Sequence, residues 1–241
     1  MGSQITEELR QFIKSHGVQI IGIGDLMMYK FDENPPMEKN FFGKFKFGIS
    51  VGLRLNDEII EQIKNGPTVA YADHYRDVNK KLDDIADKVK KWIENKGFNA
   101  YIIPASKMVD EKELKGELSH KAIARIAGVG WQGKSLLIIN PEFGPRFRMV
   151  TILTDMILEA DKPIKNRCGN CEACKISCPA AAIKGVKILD GDYYKSREEA
   201  VDMEKCFKKL CEFKKMEGIN ATVCGVCVKV CPWGSKKHGK K

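Results

Sequence analysis

Cys168-Gly169-Asn170-Cys171-Glu172-Ala173-Cys174-Lys175-Ile176-Ser177-Cys178-Pro179 is the stretch from which the rest of the chain is read. Its spacing, C-x2-C-x2-C-x3-C-P, puts three thiols within seven residues and a fourth beyond a short turn. Three thiolates so close wrap three irons of one [4Fe–4S] cubane, and a fourth held past a turn reaches a neighbouring cluster. A degenerate second copy, Cys224, Cys227 and Cys231 before Pro232, lacks its first cysteine. Only Cys206 and Cys211 lie between the two copies to replace it. Structural zinc also uses C-x2-C pairs, but seldom three ligands in so short a span followed by C-P.

Crossing the fourth ligands, the arrangement of bacterial two-cluster ferredoxins, gives two sets. Cys168, Cys171, Cys174 and Cys231 hold one cluster, and Cys206, Cys224, Cys227 and Cys178 the other. Cys211 is left over, with an exchange between it and Cys206 still open. All nine cysteines fall at or after position 168 of 241, which is not how a secreted disulfide scaffold spreads its bridges. A local metal site in a reducing compartment is expected. No run of about 18 apolar residues and no leader pattern at the N-terminus occur, so the reading is cytoplasmic with no membrane partner. The formal net charge is +9, and two clusters at about −2 each lower it to about +5. Lys236, Lys237, His238, Lys240 and Lys241 form a basic tail, a feature that is more often solvated than bound to an acidic partner or RNA.

Upstream, helical and strand patterns alternate as in an α/β domain. An amphipathic segment spans residues 6–15, and a β-rich run follows at 18–23. In residues 45–53, Phe45, Phe47, Ile49, Val51 and Leu53 share one face, and Lys46, Gly48, Ser50 and Gly52 the other. A glycine-bare strand face marks close approach of another backbone or of a flat ligand. Tyr71, Tyr75, Val78, Leu82, Ile85, Val89 and Trp92 recur at helical intervals and predict a long helix over 71–93. A strand at 98–103, a helix at 117–127 and strands at 135–139 and 147–153 follow. Asp161, Lys162, Pro163 and Asn166 read as a linker, which sets two domains at 1–162 and 163–241.

Gly128-Val129-Gly130-Trp131-Gln132-Gly133-Lys134-Ser135 satisfies both G-x4-G-K-[ST] and G-x-G-x-x-G. Each motif needs a strand before the loop and a helix after it, so that a helix N-terminus meets the phosphates. Here a helix precedes and a β-like segment follows, so phosphate binding is not expected. The glycines support a sharp turn that a large ligand can approach, with Trp131 offering a flat face and Lys134 a charge; a packing turn around a core tryptophan is the alternative.

Residues 127–134, with Ile139-Asn140-Pro141, Phe143-Gly144, Thr154-Asp155, both cysteine motifs and Cys231-Pro232-Trp233, resemble epoxyqueuosine reductase. The likeness is strong from about residue 118 to 233. The resemblance implies an α+β class: a nitroreductase-like α/β N-terminal domain holding cobalamin, and a ferredoxin-like C-terminal domain whose two [4Fe–4S] clusters feed electrons to it. It also implies that Gly128, Gly130, Trp131, Gly133, Lys134 and Ser135 line the corrinoid site. Where that family carries its proposed proton-donating aspartate, this chain has Pro104-Ala105-Ser106. Many family members continue into a helical-repeat module for tRNA, whereas this chain stops about ten residues after Cys231. A substrate other than epoxyqueuosine is therefore expected. His74, Tyr75 and His120, with Tyr71 beside them, are the candidates for a replacement proton donor.

An iron–sulfur reductase acting through bound cobalamin, fed by a donor such as reduced ferredoxin or flavodoxin, is the leading reading. The competing one is an electron-transfer or reductive-activator protein without a substrate site of its own. RNA binding ranks last, because no interleaved aromatic and basic motif is present.

Overall fold

The computed structural model describes residues 2–29, 37–106, 116–188 and 193–235. The basic tail lies outside them. Two compact units are present. The sheet unit comprises residues 1–53, 78–129 and 148–164, and the cysteine unit comprises 54–77, 130–147 and 165–241. A division at one linker near residue 162 was expected; instead the cysteine unit also takes in two upstream segments. The crossings at 77/78 and 147/148 fall inside a continuous helix and a continuous strand, so no Gly, Pro or polar run marks them.

The sheet unit is built on a four-stranded sheet: β1 (Ile20–Asp25), β2 (Phe47–Arg54), β3 (Ala100–Ile103) and β6 (Phe147–Thr154), ordered β1-β2-β6-β3. β1 pairs antiparallel with β2, setting Gly24 opposite Gly48, and β3 pairs antiparallel with β6. Ile23, Ile49, Val51, Val150 and Ile152 are fully buried. The glycine face of β2 is buried as well, because helix α5 (His120–Ile126) lies on it. A Cβ at Gly22 would stand 2.2 Å from the Ala127 carbonyl oxygen, and one at Gly48 2.9 Å from the Ile123 side chain. Of the two readings of the bare face, a close backbone is the one realised.

Helix α1 (Gly2–Ser15) buries Thr6, Leu9 and Ile13 at helical spacing. Asp161, read from sequence as linker, is pinned to β1. Its carboxylate accepts from the Ile23 amide at 2.8 Å and pairs with Arg10 at 2.7 Å, while its own amide donates to the Ile23 carbonyl at 2.7 Å. Helix α4 (Val69–Asn95) keeps Val78, Leu82, Ile85, Val89 and Ile93 buried, as the periodicity requires.

In the cysteine unit the segment expected as one strand over 135–139 is a turn followed by a short strand. β4 (Trp131–Gln132) pairs antiparallel with β5 (Ile138–Ile139), and Leu136 sits in the left-handed region at φ 61°. Helices α6 (Ala173–Ile176) and α9 (Val226–Lys229) each begin within a cysteine motif, and α7 (Arg197–Ala200) and α8 (Met203–Lys214) lie between them in sequence. Upstream, Asn56 caps α3 (Asp57–Glu61) by accepting from the Glu58 and Ile59 amides. Arg146, 2% exposed, ties this segment to α9: it bonds Asp57 at 3.0 Å, Glu61 at 2.7 Å and the Lys229 carbonyl at 3.2 Å. No helix among the described residues is long and apolar enough to cross a membrane.

Candidate metal centre

The thiols of the α6 and α9 turns lie within electrostatic reach of one another. Cys231 lies within electrostatic reach of Cys168, Cys174 and Cys171, and Cys224 within reach of Cys206 and Cys178. Cys227 senses Cys224, Cys206, Cys174 and Cys178. Cys206 therefore faces the second motif, a position that spacing alone left open between it and Cys211. Burial pushes the Cys174 and Cys224 thiols up to about 11 and Cys231 up to about 12, and raises Cys227 as well; neighbouring thiolates add to the rise in each case. Buried thiols that repel one another once ionised suit a cation-rich group that neutralises them, and its binding displaces their protons. Among the described residues no three Cys, His, Asp or Glu side chains converge as they would on a single ion. The donors are the eight thiols linked in this way, the number that two cubanes need.

The loops around these thiols are held by residues from the glycine turn. Asn166 accepts from the Cys168 amide at 2.9 Å and donates to the Gln132 carbonyl at 2.7 Å. The Gln132 side chain accepts from the Tyr194 amide at 2.9 Å. Lys134, 4% exposed, donates from Nζ to the Cys171 carbonyl at 2.8 Å. The Ala182 amide donates to Cys178 Sγ at 3.4 Å. Trp131 is fully buried, meets Trp233 edge-on at 4.9 Å, and lies under the Arg167 guanidinium at 5.8 Å.

This arrangement bears on the residues that the resemblance assigned to a corrinoid. A Cβ at Gly128 would meet the Lys162 carbonyl oxygen at 2.6 Å, at Gly130 the Ile139 carbonyl oxygen at 2.3 Å, and at Gly133 the Ile139 side chain at 2.8 Å. Gly130, Trp131, Gly133 and Lys134 are enclosed by protein, and Gly128 and Ser135 are half-exposed. The turn is a packing turn around a core tryptophan, and its lysine serves the first cysteine loop. Gly128 and Ser135 are the members of the set that keep open surface to offer a corrinoid.

The candidate proton donors are not gathered at one place. His120 is buried in the sheet unit, its Nε2 donating to the Pro104 carbonyl at 3.0 Å and its Nδ1 accepting from the Thr151 hydroxyl at 2.8 Å. Burial lowers its pKa to about 4, so both ring nitrogens of a neutral imidazole are occupied. His74, in the cysteine unit, accepts the Asn56 amide on Nε2 at 2.9 Å, and burial lowers its pKa too. Tyr71 is buried and Tyr75 half-buried on the same helix. The sequence reading missed a polar cradle under residues 104–105: Asp83 accepts the Ala105 amide at 2.9 Å, and Arg148 bridges Asn79 and the Ala105 carbonyl at 2.9 and 3.2 Å. Asn79 stands within the apolar stripe of α4, and that misfit was the available signal.

A sheet unit of α/β type with a double-cluster cysteine unit defines the class: residues 167–234 match the family described as 4Fe-4S double cluster binding domain. The fold is that of a reductive dehalogenase whose structure suggests a mechanism for B12-dependent dehalogenation, with TM-score 0.74 and 21% identity over 97% of this chain and 32% of that one. An epoxyqueuosine reductase solved with an epoxyqueuosine-modified tRNA-Tyr stem loop also shares it, with TM-score 0.61 and 24% identity over 97% and 66%. The chain is a relative of the epoxyqueuosine reductases: it is 28% identical to that of Vibrio cholerae over 170 residues, 67% of this chain. It spans only 40% of that relative's length.

Proposed function

We propose that this chain is an iron–sulfur reductase of the cobalamin-dependent kind, acting on a substrate other than epoxyqueuosine. The observation that carries the reading is the meeting of eight thiols, from both cysteine motifs and Cys206, in a fold shared with a B12-dependent dehalogenase. Cys168, Cys171, Cys174 and Cys231 hold one cluster, and Cys178, Cys206, Cys224 and Cys227 the other. Burial, charge and hydrogen bonds to sulfur set the potential of such clusters, and this chain supplies the Ala182 amide on Cys178 and the buried Lys134 ammonium beside the Cys171 loop. A corrinoid, when bound, supplies the low-valent chemistry that reduces substrate. Lys134 acts by bracing the first cysteine loop, and Gly130, Trp131 and Gly133 by packing the turn that carries it.

Support for a different substrate comes from Pro104-Ala105-Ser106, a segment without a carboxyl group, held by Asp83, Arg148 and His120 through its backbone. The relative solved with a tRNA stem loop moves RNA from last place to the first ligand to test. The decisive experiment is a visible-spectrum titration of the anaerobically reconstituted protein with cobalamin. A change saturating at about one equivalent per chain is expected; an unchanged spectrum sinks the cobalamin reading.

The locked His120 and His74 favour a second reading, a reductive activator without substrate chemistry of its own. Substrate turnover by the isolated protein with a chemical reductant would eliminate it.

A further inference from the structure

The cysteine unit carries an open cleft of about 500 Å³ flanked by Lys64, Ile176, Cys178, Val226, Lys229 and Val230. Its walls come from α6, α9 and the loop after α3, so one of the eight motif thiols lies in its lining. Ile176 is 78% exposed, an apolar side chain standing in water next to Cys178 in the cleft. Around this apolar centre the charge is positive. Lys64 is exposed and makes no ion pair among the described residues. Lys229 Nζ donates to the Glu61 carbonyl at 3.0 Å and to the Ile63 carbonyl, two neutral acceptors that leave its charge uncancelled. The acid closest in sequence, Glu61, is engaged by Arg146 at 2.7 Å. The loop continues to Gly66, which abuts the Phe213 ring of α8, a helix that carries four lysines, Lys205, Lys208, Lys209 and Lys214, and two acids, Glu204 and Glu212, of which Glu212 pairs with Lys209.

We propose that this cleft is the docking surface for an acidic, low-potential one-electron donor protein of the flavin or iron–sulfur type. The inference rests on the reading that Cys178 and its three partners hold a cluster. One electron leaves the donor's reduced cofactor and one enters the cluster; no bond forms or breaks, and no proton needs to move. An apolar centre inside a charged rim is how transient interfaces are built, and opposite charge steers the encounter. A polyanion such as RNA would also be drawn to the lysines, but the cleft lacks an aromatic face on which bases stack.

The test is anaerobic stopped-flow reduction of the reconstituted full chain by a reduced acidic flavodoxin, from about 50 mM to about 500 mM salt. The second-order rate should fall steeply with salt. Lys64→Glu should lower it about tenfold at low salt and converge with the parent at high salt. Lys64→Gln, a gentler change, should lower it about threefold. Reduction by dithionite should be equal in all three, showing that the clusters are intact. Equal flavodoxin rates for parent and variants at low salt overturn the proposal, as does a Lys64→Glu variant that loses tRNA affinity while keeping its flavodoxin rate. Cobalamin titration of the same samples separates the two readings: electron uptake that depends on Lys64 in a protein that binds no cobalamin keeps the docking site and removes the reductase.

Discussion

The sheet unit and the cysteine unit are held together by different means. In the first, Leu9, Ile13, Ile23, Ile49, Leu82, Ile93 and Ile152 are fully buried, and α5 lies on a glycine floor. In the second, Leu55, Ile60, Ile63, Trp131, Ile138 and Ile139 are buried too, but around the thiols the apolar centre is small: Leu136, Ala182, Ile183, Tyr194, Ala200 and Val201. Cys174, Cys178, Cys206 and Cys227 pack against that centre. The sheet unit stands on apolar burial, at roughly 25 cal/mol per Å². In the cysteine unit the small centre around the thiols is completed by side chains that ask for metal. Folding of that part and cluster binding are then coupled.

Substitutions aimed at one unit should leave the other standing. The largest effect belongs to Cys227→Ser, which should cut iron from about eight to about four per chain and open the cysteine unit to protease, with the sheet amides still protected from hydrogen exchange. Cys211→Ser should keep its full iron. A Cys211 variant that loses a cluster beside a Cys206 variant that keeps both would exchange their roles.

Gly22→Ala attacks the other side. Its Cβ would stand 2.2 Å from the Ala127 carbonyl oxygen, so backbone must move, at about 3 kcal/mol. A lowered denaturation midpoint for the sheet amides with unchanged cluster absorption is the expected result. Equal stability with the parent would show that α5 slides freely on its strand.

The smallest effect is a pH dependence confined to the sheet unit. His120 has a folded pKa of about 4, below its unfolded value of 6.5, so the unfolded chain takes up the proton first as pH falls. The stability is fully present above about pH 6.5 and drains away toward pH 4, with about 2 kcal/mol lost between pH 7 and pH 5. Urea denaturation at the two pH values measures it, and His120→Gln should flatten that slope. An unchanged slope in the variant would assign the acid sensitivity elsewhere.

Much of this was legible along the chain. The cysteine spacing specified two clusters, because ligands of one cubane come from a local turn, and local geometry is written in local sequence. The stripe from Tyr71 to Trp92 specified α4 in the same way, since a 3.6-residue period needs no partner to be recognised. The strand over 135–139 was misread because a left-handed Leu136 and a tight turn from Gly133 leave no trace in hydropathy. The glycine turn had two open readings, and only the Ile139 and Lys162 carbonyls pressed against it select packing. The resemblance placed Lys134 at the corrinoid, whereas its ammonium bonds the Cys171 carbonyl.

The sequence by itself determined the two cysteine motifs and the long helix, features whose period or spacing is set within a few tens of residues, and the α+β class followed from the resemblance. The tertiary structure alone decided that Cys206 faces the second motif, that residues 54–77 and 130–147 belong with the cysteines, and that His120 is locked. Each of these depends on which distant segments meet, and that choice is made by burying apolar surface and satisfying buried polar groups over the whole chain, terms that no local pattern carries.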